Sequence, residues 1–329
     1  MKKHYFLILL LLAFTLTGCP QSNGTDTPDT PETPVTPTNP NAKTLPESVG
    51  ENPLVGKTYR YEDGDDYETV CFTENTIEYT EMDADIGLHE GYILKYSYDA
   101  TKNEIYMTVE KQYDDIMGDF LELAGKSSEE NPYYFTWADL QDEQFLQDIA
   151  NVFGPGMEAE GTTLADYNEG METNYASWTD IVKEMLADCE PIFNTLSAAK
   201  YTIGGNTLSF TSILPPDATA EAFLKGEYQS PIFRELSFRY QDGEEGEVEI
   251  ISDIPCEFTN PKHNNEEDNF FGEEIYDVTD STFKAAGETY SYTADFATSQ
   301  KTITVSGYGL TDVILTEVLG SSDIYTLVQ

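Results

Sequence analysis

The residue with the most definite chemistry is Cys19, which closes the tetrapeptide Leu16-Thr17-Gly18-Cys19. Lys2 and Lys3 give a positive start, and Tyr5 to Phe14 is an apolar run. That order is a secretory signal, and a cysteine at its junction is placed to carry acyl groups as the first residue of a processed chain. The apolar run is too short to persist as a spanning helix. Each buried CH₂ contributes roughly 0.8 kcal/mol, so two or three acyl chains hold a protein on a membrane where one does not.

Other residues offer weaker chemistry. Asp63, Asp65 and Asp66 surround Gly64 and supply hard oxygens suited to calcium, although the spacing is not that of an EF-hand. His4 lies in the signal, which leaves His89 and His263. A histidine-rich zinc site is excluded, and any Ser-His-Asp triad must use one of those two. His263 sits in the polar loop Asn260 to Asp268, a candidate recognition loop or a surface insertion. There is no CxxC, no phosphate loop and no nucleophile elbow: Thr304 stands where the elbow before Ser306 needs its first glycine. Paired carboxylates could hydrolyse glycosides, but 61 acids single out no pair. No cofactor is expected. Aromatic side chains give binding candidates: Tyr133, Tyr134, Phe135 and Trp137 cluster before a helix, and Phe270 and Phe271 follow a polar loop.

Seventeen Lys and Arg against 61 Asp and Glu give a net charge of −44. That excess argues against nucleic acid or anionic headgroups as partners. Apolar residues make up 39%, with 22 Tyr and 17 Phe, enough for a folded core. With Cys19 acylated, Cys71, Cys189 and Cys256 remain, as one disulfide and a thiol or as three buried thiols; the second is favoured because disulfide frameworks belong to smaller chains.

The elements that position these residues read as follows. Thr-Pro and Asn-Pro steps run from Thr27-Pro28 to Asn39-Pro40, so 20–53 is expected to be a solvated spacer. From Leu54 to Glu110 the pattern is strand: Lys57–Tyr61, Glu68–Thr73, Thr76–Thr80, Tyr92–Tyr98 and Glu104–Glu110, with an Asp63-Gly64 hairpin turn. From Gln112 to Ala199 the period becomes helical. Thr136-Trp137-Ala138-Asp139 opens a helix expected to stop at Gly154-Pro155-Gly156. Ser177-Trp178-Thr179-Asp180 opens another whose apolar stripe is Trp178, Ile181, Val182, Met185, Leu186 and Cys189, with Pro191 as a break. Strands return from Lys200, and Pro215-Pro216 marks a boundary. Tyr96-Ser97-Tyr98 and Ile105 to Val109 are echoed by Tyr290-Ser291-Tyr292 and Thr302 to Val305, a weak internal repeat.

Leu54-Val55-Gly56-Lys57-Thr58-Tyr59, then Phe72-Thr73-Glu74-Asn75-Thr76-Ile77, then the Tyr-Ser-Tyr hairpin, resembles the lipocalin-like repeats of bacterial lipoproteins, especially those of spirochaetes. The resemblance covers about sixty residues well and the C-terminal unit loosely. It implies up-and-down antiparallel strands in a barrel or half-barrel, and it carries no shared catalytic residues.

The sequence therefore predicts a mainly β protein, α+β overall, of two antiparallel lipocalin-like units with an α-helical insertion. The expected segments are a signal (1–18), lipidated Cys19 with its spacer (19–53), a first unit (54–214) holding the insertion 112–199, and a second unit (215–329). The expected role is a lipid-anchored extracytoplasmic binding module in the bacterial cell envelope, its membrane partner reached through the lipid. The alternatives are a carboxylate-dependent hydrolase and a structural envelope lipoprotein without a small ligand.

Overall fold

The computed structural model describes residues 39–84, 88–128, 132–159, 161–171, 173–187, 189–229, 232, 236–240, 248–253, 256–261 and 272–329. Cys19, His263, Phe270, Phe271 and most of the expected spacer lie outside them. The protein is mainly β, with two eight-stranded antiparallel barrel-like sheets and a helical insertion. It divides into two compact units: residues 113–188 belong to one, and 41–112 with 189–329 to the other.

The first sheet is a closed barrel. Its strands are β1 (Thr58–Asp63), β2 (Asp66–Phe72), β3 (Thr76–Asp83), β4 (Leu88–Asp99), β5 (Glu104–Asp114), β6 (Ser197–Gly204) and β7 (Thr207–Ile213). The last strand of the chain, β16 (Tyr325–Leu327), closes it between β7 and β1. The segment boundary drawn at 215 put β16 with the second unit. A three-residue strand carries no signal of its partners, and closure is decided by the two free edges it satisfies.

Side chains alternate along each strand. The inward set fills the barrel: Tyr59, Val70, Phe72, Ile77, Tyr79, Leu94, Ile105, Met107, Tyr201, Phe210 and Tyr325 are all buried. Register brings them together, with Val70 opposite Tyr79, Tyr79 opposite Tyr92 and Ile77 opposite Leu94. Burying a Val, Leu, Ile or Phe contributes about 1.5–3 kcal/mol apiece.

The second sheet runs β11-β10-β9-β8-β15-β14-β13-β12. Its strands are β8 (Ser237–Arg239), β9 (Glu249–Ile251), β10 (Glu257–Thr259), β11 (Glu273–Glu274), β12 (Thr282–Ala285), β13 (Glu288–Asp295), β14 (Thr302–Gly307) and β15 (Leu310–Val318). Tyr276, just past β11, exchanges two backbone hydrogen bonds of 2.8 Å with Lys284 of β12, so the outer edges meet. Phe223, Phe238, Phe258, Phe283 and Tyr290 dominate its core. Phe258 and Phe283 ring centroids stand 5.2 Å apart, edge to face.

The helical unit holds α1 (Asp115–Leu123), α2 (Trp137–Leu140), α3 (Glu143–Ala159), α4 (Leu164–Met171) and α5 (Trp178–Ala187). The Thr136 box forms: the Thr136 N–H donates to Asp139 Oδ2 (2.7 Å), and the Asp139 N–H donates to Thr136 Oγ1. Ser177 caps α5 through the Asp180 N–H, and Thr163 with Asp166 makes a third such pair at α4. The expected helix end is corrected. The break falls after Leu140, and α3, begun by Asp142 accepting from the Gln144 N–H, runs through Gly154-Pro155-Gly156. Pro155 faces solvent, while Phe153, Gly154 and Met157 are buried. Gly154 is required by close approach, because a Cβ there would lie 2.4 Å from Trp178 Cδ1. Phe153 and Trp178 pack edge to face at 5.6 Å. Of the α5 stripe, Ile181, Val182 and Leu186 are buried, and Trp178, Met185 and Cys189 are half-buried. A 3₁₀ turn at Pro191–Asn194 follows, as a proline after the helix requires.

Residues 43–53 were expected in the spacer but lie on the first barrel. Val49 pairs with the Tyr98–Ala100 backbone, Leu45 packs against the Tyr106 cluster, and Asn52 donates to the Tyr96 hydroxyl. The Thr-Pro steps have ended by Pro40, Leu45 gains contact area by docking, and Val49 is held by its main-chain bonds.

Candidate functional site

Two concave regions stand out on the first barrel. One is its mouth, where the inward face of four strands changes from apolar to acidic. Following the alternation outward, Tyr59 leads to Tyr61 and Asp63, Val70 to Glu68 and Asp66, Tyr79 to Glu81 and Asp83, and Tyr325 to Asp323. Tyr61, Asp63, Asp66, Glu68, Glu81, Asp83 and Asp323 line a cleft of about 160 Å³. Register places Glu68 opposite Glu81, and Glu81 opposite Glu90, so three carboxylates form a row across β2, β3 and β4.

Tyrosines support that row. Tyr79 donates to Glu81 (2.7 Å), Tyr92 donates to Glu90 (3.3 Å) and Tyr325 donates to Glu68. Burial raises the Glu68 pKa above the ordinary glutamate range; Glu81 and Asp323 push the same way, and the Tyr325 hydroxyl opposes them. Burial, then Glu68 and Glu81, raises the Tyr79 hydroxyl far above its usual value. Like carboxylates facing one another favour proton sharing. Carboxyl groups placed in different surroundings are the make-up of acid–base sites.

Of the calcium candidates, Asp63 and Asp66 line the cleft and Asp65 is not among its lining residues; it sits in the exposed hairpin turn. Among the described residues, no group of three or more His, Cys, Asp or Glu is arranged to hold a metal ion. His89 lies on β4 opposite Met82.

The second region is a groove of about 440 Å³ on the barrel's outer face. Ile105 and Met107 point inward, so Tyr106 between them points out, where it packs with Leu196 and Ala198. Leu45 and Pro46 form one wall, and Pro215, Pro216 and Asp217 the other. The Tyr106 hydroxyl donates to Glu104 at 2.6 Å. Burial raises its pKa most, followed by Glu104, Asp99 and Asp217. Pro215-Pro216, read as a boundary, is also a rigid wall.

The described aromatic candidates, Tyr133, Tyr134, Phe135 and Trp137, lie in the helical unit. Tyr133 donates to Asp139 (3.0 Å) and stacks obliquely on Phe145, Tyr134 packs on Tyr113, and Phe135 is fully buried. Trp137 is half-buried in the first turn of α2. Cys71 is a half-buried free thiol, Cys256 a buried one, and Cys189 is half-buried. Burial pushes the Cys256 thiol up to about 12, and it donates to the Phe223 carbonyl. Sequence reasoning missed the Glu68–Glu81–Glu90 row. Its signal was the period-two alternation carried past the last apolar residue of each strand.

Searches against protein-family models, curated proteins and solved structures found no match to this chain. Among the described residues, no helix is long and apolar enough to cross a membrane.

Proposed function

We propose that this protein is a lipid-anchored extracytoplasmic binding protein of the bacterial envelope, of the lipocalin-like lipoprotein kind, held through Cys19 and recognising its partner on the outer surface of the first barrel. The observation that carries the reading is the contrast between a barrel interior packed with side chains and an open, largely apolar groove beside Tyr106. Large side chains are buried in the barrel interior, and an apolar groove with a few polar groups is the usual make-up of a recognition site. The anchor is tested by growing cells with an alkyne fatty acid and comparing wild type with Cys19→Ser. Label on the wild type alone is expected; equal label on both refutes the anchor. The groove is tested by a thermal-shift ligand screen on the full chain and on Leu45→Glu: stabilising hits should be lost in the variant.

A second reading, a carboxylate-dependent hydrolase, is favoured by the Glu68–Glu81 pairing in the mouth cleft. Turnover of a glycoside, ester, peptide or phosphate substrate that disappears in Glu68→Gln or Glu81→Gln would put this reading first.

A further inference from the structure

The groove beside Tyr106 has a definite chemical bias. Three of its lining residues, Pro46, Pro215 and Pro216, have no backbone N–H. The Leu196 N–H is taken by the Glu227 carbonyl, and the Tyr106 hydroxyl proton is taken by Glu104. The polar side chains at its rim are Thr44 and the exposed carboxylate of Asp217. Tyr106 lies in the negative field of Glu104, Asp99 and Asp217. Of the cations nearby, Lys43 pairs with Glu227, Lys102 pairs with Asp99 at 3.0 Å and lies 3.9 Å from Glu104, and Lys200 stands opposite Glu104 in register. The floor, meanwhile, is the aromatic face and apolar stems of Tyr106, Leu45 and Leu196.

We infer that the groove receives a lysine or arginine side chain from an apolar, extended segment of a partner protein, the stem lying on Tyr106, Leu45 and the prolines and the cation meeting Asp217. Long cationic side chains bury an apolar stem while keeping the charged head wet, and an aromatic face adds attraction for the cation. A carboxylate ligand would meet the exposed Asp217 at the rim, so the site discriminates by repulsion as well as by fit. The inference rests on the groove being the binding surface of the proposed function.

The test uses the full chain and a short dansylated peptide of alternating leucine and lysine, read by fluorescence anisotropy. A chain of charge −44 attracts any cation, so titrations run in about 0.5 M NaCl, where the Debye length is roughly 4 Å. Controls are the glutamate counterpart of the peptide, an all-lysine peptide and n-hexylamine. Binding of the leucine–lysine peptide is expected, with much weaker binding of all three controls. Leu45→Glu should weaken it at least about tenfold, Asp217→Asn about threefold, and the remote Asp280→Asn not at all. Asp217 is exposed, so its variant keeps the test valid should Leu45→Glu fold poorly. Binding that neither groove variant changes overturns the assignment of the site. Equal groove-dependent binding of the glutamate peptide overturns the cation preference while leaving the binding reading intact. Equal groove-dependent binding of n-hexylamine overturns the protein partner. No groove-dependent binding by any probe overturns the inference; the thermal-shift hits, present or absent, then judge the groove reading separately.

Discussion

The two barrels share a corner and differ in how the chain enters them. In the first, Thr73 opens β3: its hydroxyl accepts from the Thr76 N–H (2.9 Å) and meets Thr76 Oγ1 at 2.8 Å, and the Tyr96 hydroxyl donates to the Thr73 carbonyl at 2.8 Å. In the second, Thr279 opens β12 with the same bonds: the Thr282 N–H at 3.0 Å, Thr282 Oγ1 at 2.7 Å and the Tyr292 hydroxyl on the Thr279 carbonyl at 2.7 Å. Counting round from this corner, the first barrel runs β3-β4-β5-β6-β7-β16-β1-β2 and the second β12-β13-β14-β15-β8-β9-β10-β11. The second therefore begins in the chain at the places that β7 and β16 fill in the first. One is a circular permutation of the other. The comparison teaches that the closed ring and its corner are what the fold preserves, while the chain's entry point is free. It also locates the helical unit: β14 and β15 join by the tight turn at Gly307–Gly309, whereas between β5 and β6 the chain makes the whole 113–188 insertion.

Their interiors also differ. The second holds a cluster of packed Phe and Tyr rings among aliphatic side chains, and the first turns acidic at its mouth. Core truncation should expose the contrast most strongly. Phe283, fully buried against Phe258 and Tyr290, should lose about 3–5 kcal/mol as Phe283→Ala in urea unfolding. Ile77, its counterpart beside the first corner, should lose about 2–4 kcal/mol as Ile77→Ala. A Phe283→Ala cost below 1 kcal/mol would mean that the second core is loosely packed.

The corner itself comes next. Tyr96→Phe and Tyr292→Phe each delete a hydroxyl-to-carbonyl bond and should cost about 0.5–1.5 kcal/mol. Tyr96, which also accepts from Asn52 at 2.7 Å, should sit at the upper end. Neutral substitution at one corner and a large loss at the other would break the equivalence of the barrels.

The acidic mouth adds pH dependence to the first barrel alone. Glu68 has a folded pKa above its unfolded value. The folded state thus binds its proton more tightly, and the stability it contributes is fully present below the unfolded value. That contribution is lost as pH rises through the folded value. Glu68→Gln should flatten this part of the pH–stability profile, with no change when the second barrel is altered by Tyr292→Phe. A profile that rises over the same interval in wild type would show that Glu68 is ionised and well paired.

Much of this was legible in the sequence. Strand positions from Thr58 to Val109 follow alternation, and the Thr136 and Ser177 caps follow a local rule needing three residues. The repeat was legible too, but its alignment was two residues out. Tyr-Ser-Tyr at 96–98 looks like Tyr-Ser-Tyr at 290–292, yet the hydrogen bonds equate Tyr96 with Tyr292. A two-residue slip keeps every side chain on its face, so alternation cannot detect it; the Thr-x-x-Thr corner does. The course of α3 through Pro155 was hidden because burial of Phe153 and Met157 outweighs a local helix breaker. The carboxylate row was hidden because it depends on register across three strands, which no single strand encodes.

The smallest effect concerns the seam of the second barrel. Lys284 lies there, paired with Asp277 at 2.7 Å and placed over the Tyr276 ring at 5.9 Å. The hydrogen bond to Asp277 holds its pKa above the usual lysine value. Tyr276 and Asp277 are exposed and Lys284 is half-buried, and pairs open to solvent are screened by water and salt. The seam is closed instead by the two main-chain bonds between residues 276 and 284, which any side chain at 284 retains. Lys284→Gln should therefore leave the thermal midpoint unchanged in low salt and in 1 M NaCl. A salt-sensitive fall in midpoint would show that charge, and not the backbone ladder, joins the ends of this sheet. The second barrel would then be a sheet pinned shut at its surface, unlike the first, where β16 closes the ring through Tyr325 buried in the core.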